Sequence, residues 1–143
     1  HYALSKLAGE VIAEQFNRWT NIPFVSLRIS NIMEEHEYAE RFPGFWEDPA
    51  IRAWNLWGYV DARDVAQIVR RSLTADLRGA EAFIVAAADT CMPQDSAALM
   101  AEVYPDVPLH PVFVSQTLLS IEKARAVLGY DPEHAWRDYV SAE

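Results

Sequence analysis

The stretch Tyr2-Ala3-Leu4-Ser5-Lys6-Leu7-Ala8-Gly9-Glu10-Val11-Ile12, with Pro23-Phe24-Val25-Ser26-Leu27-Arg28-Ile29 behind it, decides the fold of this 143-residue chain. Tyr2, Leu4, Leu7, Ala8, Val11, Ile12 and Phe16 recur at helical spacing, which predicts an amphipathic helix from His1 to about Thr20. Asn21 and Pro23 end it, because a residue before proline is pushed out of the α region. The run Phe24–Ile29 then reads as a short, mostly buried strand. A helix feeding an apolar strand is one step of the alternation that defines an α/β protein.

The alternation continues downstream. Leu56-Trp57-Gly58-Tyr59-Val60 reads as a strand, and Val65, Ile68, Val69 and Leu73 predict a helix from about Ala62 to Ala75, capped by Asp61 or Asp64. Ala82–Ala87 is an apolar strand. Pro93-Gln94-Asp95 opens a helix running to about Tyr104, Ile121–Leu128 forms another stopped by Gly129, and a short one lies at Trp136–Val140. Between Ser30 and about Ala53 the pattern dissolves into Glu34, Glu35, Glu37 and Glu40, Pro43-Gly44 and Pro49, with Phe42, Phe45 and Trp46 interleaved. Two readings stand for that stretch: a loop or lid in contact with substrate, or a solvated acidic loop whose aromatics plug a local cluster.

Composition removes whole classes of function. The chain is 51% hydrophobic and 23% charged, with five Trp, six Tyr and six Phe, enough to build a core. No run approaches the roughly 18–20 apolar residues of a membrane span. The formal net charge of −9 leaves no basic patch for nucleic acid or anionic lipid. A single cysteine, Cys91, forms no internal disulfide, so a reducing cytoplasm is the expected compartment. His1, His36, His110 and His134 show no metal-ligand spacing, and no metal is expected.

The sharpest chemical feature is Tyr2 and Lys6, four apart and therefore on one helix face. A free phenol titrates near about 10. A nearby ammonium and a helix N-terminus both favour the phenolate, so the pair offers an acid/base group working closer to neutral pH. Asn55 is a further candidate to reach a substrate, and Trp54, Trp57 and Tyr59 read as pocket wall or core.

Five segments occur in order: Tyr2-Ala3-Leu4-Ser5-Lys6, Leu27-Arg28-Ile29-Ser30-Asn31-Ile32, Tyr59-Val60-Asp61-Ala62-Arg63-Asp64-Val65-Ala66, Phe83-Ile84-Val85-Ala86-Ala87-Ala88-Asp89, and Lys123-Ala124-Arg125-Ala126-Val127-Leu128-Gly129-Tyr130-Asp131-Pro132. Together they resemble the C-terminal half of an extended short-chain dehydrogenase/reductase, the NAD-dependent epimerase/dehydratase family. The resemblance implies the C-terminal part of a Rossmann-like parallel sheet plus a small, mostly helical substrate-binding region. Residues 1–30 and 57–90 would form the former, and residues 31–56 and 91–143 the latter. It implies NAD or NADP as cofactor and a small-molecule substrate, possessing a hydroxyl or carbonyl group as a sugar does. Tyr2 matches the family's catalytic tyrosine and Lys6 the lysine that supports it and binds the nicotinamide ribose. Ser30 sits where the family approaches the nicotinamide, and Asn31 where it approaches the substrate.

Departures from the family pattern carry information too. No Gly-rich phosphate-binding turn occurs, so the adenosine half of the cofactor site and the third catalytic Ser or Thr would lie before His1. The arginine that grips a substrate diphosphate in many sugar-nucleotide epimerases is replaced by Trp57-Gly58, leaving Arg52 or Arg63 to stand in. Met33-Glu34-Glu35 replaces a Gly-Pro turn, and glutamates facing the pocket would repel a diphosphate, which favours a less anionic substrate. On this reading the chain is by itself an inactive fragment of its parent enzyme. An alternative is a non-catalytic, NAD(P)-binding regulatory or redox-sensing relative, against which the Tyr2/Lys6 pair speaks. A sheet lacking its N-terminal strands has an open edge and uncovered helix faces, which predicts a homo-oligomer or a strand-exchanged assembly.

Overall fold

The first helix, α1 (Tyr2–Thr20), stops as its sequence predicts: Asn21 takes a left-handed φ of 57° and Pro23 leads into β1 (Phe24–Ile29). The structure, a computed structural model, describes residues 1–110 and 114–141. Downstream come β2 (Ile32–Met33), α2 (Glu35–Trp46), a 3-10 helix (Pro49–Asn55), β3 (Val60–Asp61), α3 (Ala62–Thr74) and β4 (Ala80–Val85). They are followed by α4 (Ser96–Val103), α5 (Glu122–Leu128) and a second 3-10 helix (Trp136–Asp138). β1 pairs with β4 in parallel, from Phe24 opposite Ala80 to Ile29 opposite Val85, and β2 pairs with β3 in parallel. The fold is therefore a mixed, broadly α/β arrangement with short parallel sheets.

Several expectations are corrected. The stretch 30–53 is not an irregular loop: it holds β2, α2 and most of a 3-10 helix. The Glu37 carboxylate accepts from the Glu34 N–H at 2.8 Å and starts α2. Pro43 lies inside that helix, where it removes a hydrogen bond. The helix persists because Tyr38 and Phe42, four apart, are both fully buried. The expected strand Leu56–Val60 shrinks to Val60–Asp61, because Leu56 and Trp57 take φ values of 53° and 54° and turn the chain instead. The strand expected at 82–87 is displaced to Ala80–Val85. Pro93 does not open α4; Asp95 does, its carboxylate accepting from the N–H groups of Ala97 and Ala98.

Two cores organise the chain. Phe83, Val85 and Ala86 pack with Val60, Ile68, Ile121, Ala124 and Leu128 under the β1–β4 sheet. Tyr130 joins the same cluster, so residues 121–130 contribute four side chains to it. The second core is aromatic, with Tyr38, Phe42, Trp57, Tyr59 and Trp136 all 0 or 1% exposed. Two carboxylates, one buried and one half-buried, bind its neighbours to it. Asp64 accepts from the Glu133 and His134 N–H groups, each at 3.1 Å, and Asp89 accepts from the Tyr59 hydroxyl at 2.6 Å.

Asp61 caps α3 by accepting from the Arg63 N–H at 2.8 Å, and it also accepts from the Tyr38 hydroxyl and twice from the Arg63 guanidinium. Burial by itself raises its pKa; the Arg63 and Tyr38 bonds outweigh that and hold it at about 2. A carboxylate depressed below its unfolded value of about 4 adds stability above that pH and loses it as pH falls toward the folded value. Urea denaturation of wild type against Asp61→Asn therefore shows a gap that is full at neutral pH and closes between about pH 4 and 2. A gap that is constant across that range contradicts the assignment.

Candidate functional site

Geometry along α1 brings the predicted residues together. A helix rises about 1.5 Å per residue and a strand about 3.3 Å, so a 19-residue helix is longer than the six-residue strand that follows it. The Arg28 guanidinium near the end of β1 donates to both carboxylate oxygens of Glu10, at 2.8 and 2.6 Å, and fixes where the two elements lie side by side. The turns of α1 before Glu10 overhang the carboxyl end of β1. Tyr2 and Lys6 thereby reach the level of Ser30 and Asn31.

An open groove of about 880 Å³ results, lined by Tyr2, Lys6, Ser30, Asn31 and Asn55 with Trp54 at its wall. It sits at the carboxyl end of the β1–β4 pair, where open α/β sheets take their ligands. Lys6 Nζ stands 5.2 Å from the centroid of the Tyr2 ring. Tyr2 is 76% exposed and lines the groove. The Ser30 N–H donates to the Val85 carbonyl at 2.9 Å, which extends the ladder by one residue and holds Ser30 at the rim.

Asn55 arrives from the other side. Its Nδ2 donates to the Gly58 carbonyl at 2.9 Å, and its carboxamide approaches that of Asn31 to 3.3 Å. The turn carrying it is strained, with two successive non-glycine residues at positive φ. Trp57 anchors that turn: it is fully buried and its Nε1 donates to the Pro49 carbonyl at 2.7 Å. Gly58 completes it, since a Cβ there would sit 3.0 Å from Ser30 Oγ and 3.2 Å from the Asn55 carbonyl oxygen. The absence of that carbon lets the turn close on Ser30.

Five of the six candidate residues thus converge, and Arg63 does not. Its guanidinium is taken by Asp61 and Glu35, with N–O separations of 2.8 and 3.0 Å, and it does not line the groove. The glutamates expected to bias the pocket against anions are also elsewhere. Glu34 starts α2, Glu35 pairs with Arg63, and neither lines the groove. Trp54 is a wall residue as expected, while Trp57 and Tyr59 are core.

Leu119 and the Glu10–Arg28 pair also line the groove, and sequence reasoning passed over them. Opposite charges on a helix and the next strand carry no local signal, and Leu119 comes from a distant loop. Cys91 is buried, and burial pushes its thiol up to about 11, so it is a neutral packing group. Among the described residues no cluster of His, Cys, Asp or Glu suits a metal ion, and no helix is long and apolar enough to cross a membrane. No protein-family model, curated protein or solved structure matches the chain.

Proposed function

We propose that this chain supplies the tyrosine–lysine part of an NAD(P)-dependent oxidoreductase, epimerase or dehydratase site of the extended short-chain dehydrogenase type. The observation that supports it is the meeting of Tyr2, Lys6, Ser30, Asn31 and Asn55 in one groove at a parallel sheet's carboxyl end. Their ammonium, hydroxyl and carboxamide groups suit a ribose and a carboxamide. No Gly-rich turn follows a strand in this sequence, so the groove fits the nicotinamide riboside end of the cofactor alone. That cofactor, when bound, accepts or supplies a hydride. Tyr2 exchanges the proton of the substrate's hydroxyl group, and Lys6 keeps a positive charge beside the ring. Ser30 and Asn31 orient the reacting end, and Asn55 holds the substrate from the opposite wall.

The reading is tested by Tyr2→Phe in the intact protein. Turnover falls and cofactor binding persists. If wild type binds cofactor but turns over no hydroxy or carbonyl compound, the non-catalytic reading replaces it.

The same proposal includes self-association in a reducing cytoplasm. α1 buries none of its residues, and Leu4, Leu7, Val11, Ile12, Phe16 and Trp19 are 47 to 75% exposed. Among the described residues, β1 pairs with β4 on one side and with no strand on the other. An apolar ridge beside an open strand edge is covered at low cost by a second copy of the same surface. Light scattering is expected to give at least a dimer mass that falls on Leu7→Glu; a monomer mass for the wild type overturns this part.

A further inference from the structure

Three of the five tryptophans serve the packing. Trp57 and Trp136 are buried and Trp46 is half-buried, and their indole N–H groups donate to the carbonyls of Pro49, Thr90 and Cys91. Trp19 belongs to the exposed ridge of α1. Trp54 does neither. It is 70% exposed, directly precedes Asn55, and lines the groove that holds Tyr2 and Lys6.

The Trp54 ring is held from behind. Arg52 is 8% exposed, and its guanidinium lies over the rings of Trp54 and Phe45, 5.2 and 4.9 Å from their centroids. The Cys91 thiol also meets it. With the Asn31 carboxamide turned so that its oxygen faces the guanidinium, both terminal nitrogens donate to that oxygen, at 3.2 and 3.1 Å. Among the described residues no carboxylate forms an ion pair with Arg52. A guanidinium shielded from water holds a ring face more firmly than a solvated one. One face of the indole is thus covered by a fixed cation, and the other is open.

Several polar groups of the groove are already committed. Asn55 Nδ2 is bonded to the Gly58 carbonyl, the Asn31 oxygen to Arg52, and Arg28 to Glu10. A polyol placed here gives up more hydrogen bonds to water than these groups replace, whereas the face of an aromatic ring has none to lose. Ile32, 51% exposed, and Leu119 add apolar wall to the same groove. We propose that Trp54 is a specificity-determining residue whose open face stacks on an aromatic ring of the substrate, so that the groove takes an aryl alcohol or an aryl ketone. This rests on reading the groove as the substrate site.

NMR titration of the chain with isotope-labelled indole nitrogens tests it, using acetophenone, its saturated counterpart cyclohexyl methyl ketone, and methyl glucopyranoside as probes. The indole signal missing from Trp54→Leu is that of Trp54. Acetophenone is expected to move the wild-type Trp54 signal, to leave the buried indoles in place, and to bind about 3- to 10-fold tighter than the saturated ketone. In Trp54→Leu, which keeps an apolar side chain, ligand signals show the two ketones binding alike. A Trp54 signal that does not move overturns the proposal, and so does an aryl preference that survives in Trp54→Leu. A Trp19 signal that moves as far as that of Trp54 overturns it as well, because any exposed indole then suffices. A glucopyranoside that binds as tightly as acetophenone overturns it in favour of a sugar ring. If Trp54→Leu does not fold, the wild-type shifts and the ratio of the two ketones decide by themselves. Neither cofactor nor turnover enters this measurement, so its failure is separate from an unchanged kcat in Tyr2→Phe.

Discussion

Tyr2→Phe is expected to lower kcat by about 10²- to 10⁴-fold, the usual contribution of a positioned acid/base group. The substitution removes one oxygen and nothing else. The ring keeps its place 5.2 Å from Lys6 Nζ, and at 76% exposure it supports no core, so stability changes by less than about 0.5 kcal/mol. The loss falls on kcat and on kcat/KM alike, because the proton moves only on the way to the transition state. Absorbance of the reduced nicotinamide, followed with a panel of hydroxy and carbonyl compounds in the intact protein, reads the rate. Cofactor titration in the same variant reads binding. An unchanged kcat removes Tyr2 from the chemistry.

Trp136→Ala is expected to cost about 3–5 kcal/mol, a large share of the 5–15 kcal/mol that holds a domain of this size. Trp136 is 1% exposed, and its ring centroid is 5.1 Å from that of Trp46 and 5.9 Å from that of Phe42. Its Nε1 donates to the Thr90 carbonyl at 2.8 Å, and its backbone N–H donates to the Tyr59 hydroxyl at 3.1 Å. Truncation leaves a cavity and an unmet carbonyl at once. Trp136→Phe keeps most of the packing and gives up the indole bond, for a cost of about 1–3 kcal/mol. Urea midpoints followed by circular dichroism measure both. A cost below about 1 kcal/mol for the alanine variant means that the C-terminal segment is not docked on the aromatic core as described.

The two predictions draw on different levels of the molecule. Tyr2 and Lys6 are four residues apart, and a helix puts such a pair on one face wherever it packs, so their partnership is legible in the sequence. α1, β1 and α3 are legible for the same reason, since periodicity, Pro23 and the Asp61 cap act within a few residues of themselves. Gly129 stops α5 with a φ of 66° by its own backbone freedom.

What failed to read depends on partners far away in sequence. Pro43-Gly44 argues locally against a helix, and α2 forms because Tyr38 and Phe42 find Tyr59 and Trp136 in the aromatic core. Leu56-Trp57 argues locally for a strand. The chain turns there because the Trp57 indole binds the Pro49 carbonyl and Gly58 closes on Ser30. The same distinction separates the arginines. Sequence offers Arg52 and Arg63 equally, and only the packing gives Arg63 two carboxylates and leaves Arg52 buried without one. Local chemistry, then, determined the helices, the β1 strand and the Tyr2/Lys6 pair. Tertiary structure decided which side chains share the groove and where an uncompensated charge lies, because pairing across the fold leaves no local mark in a sequence and is chosen only when the chain closes.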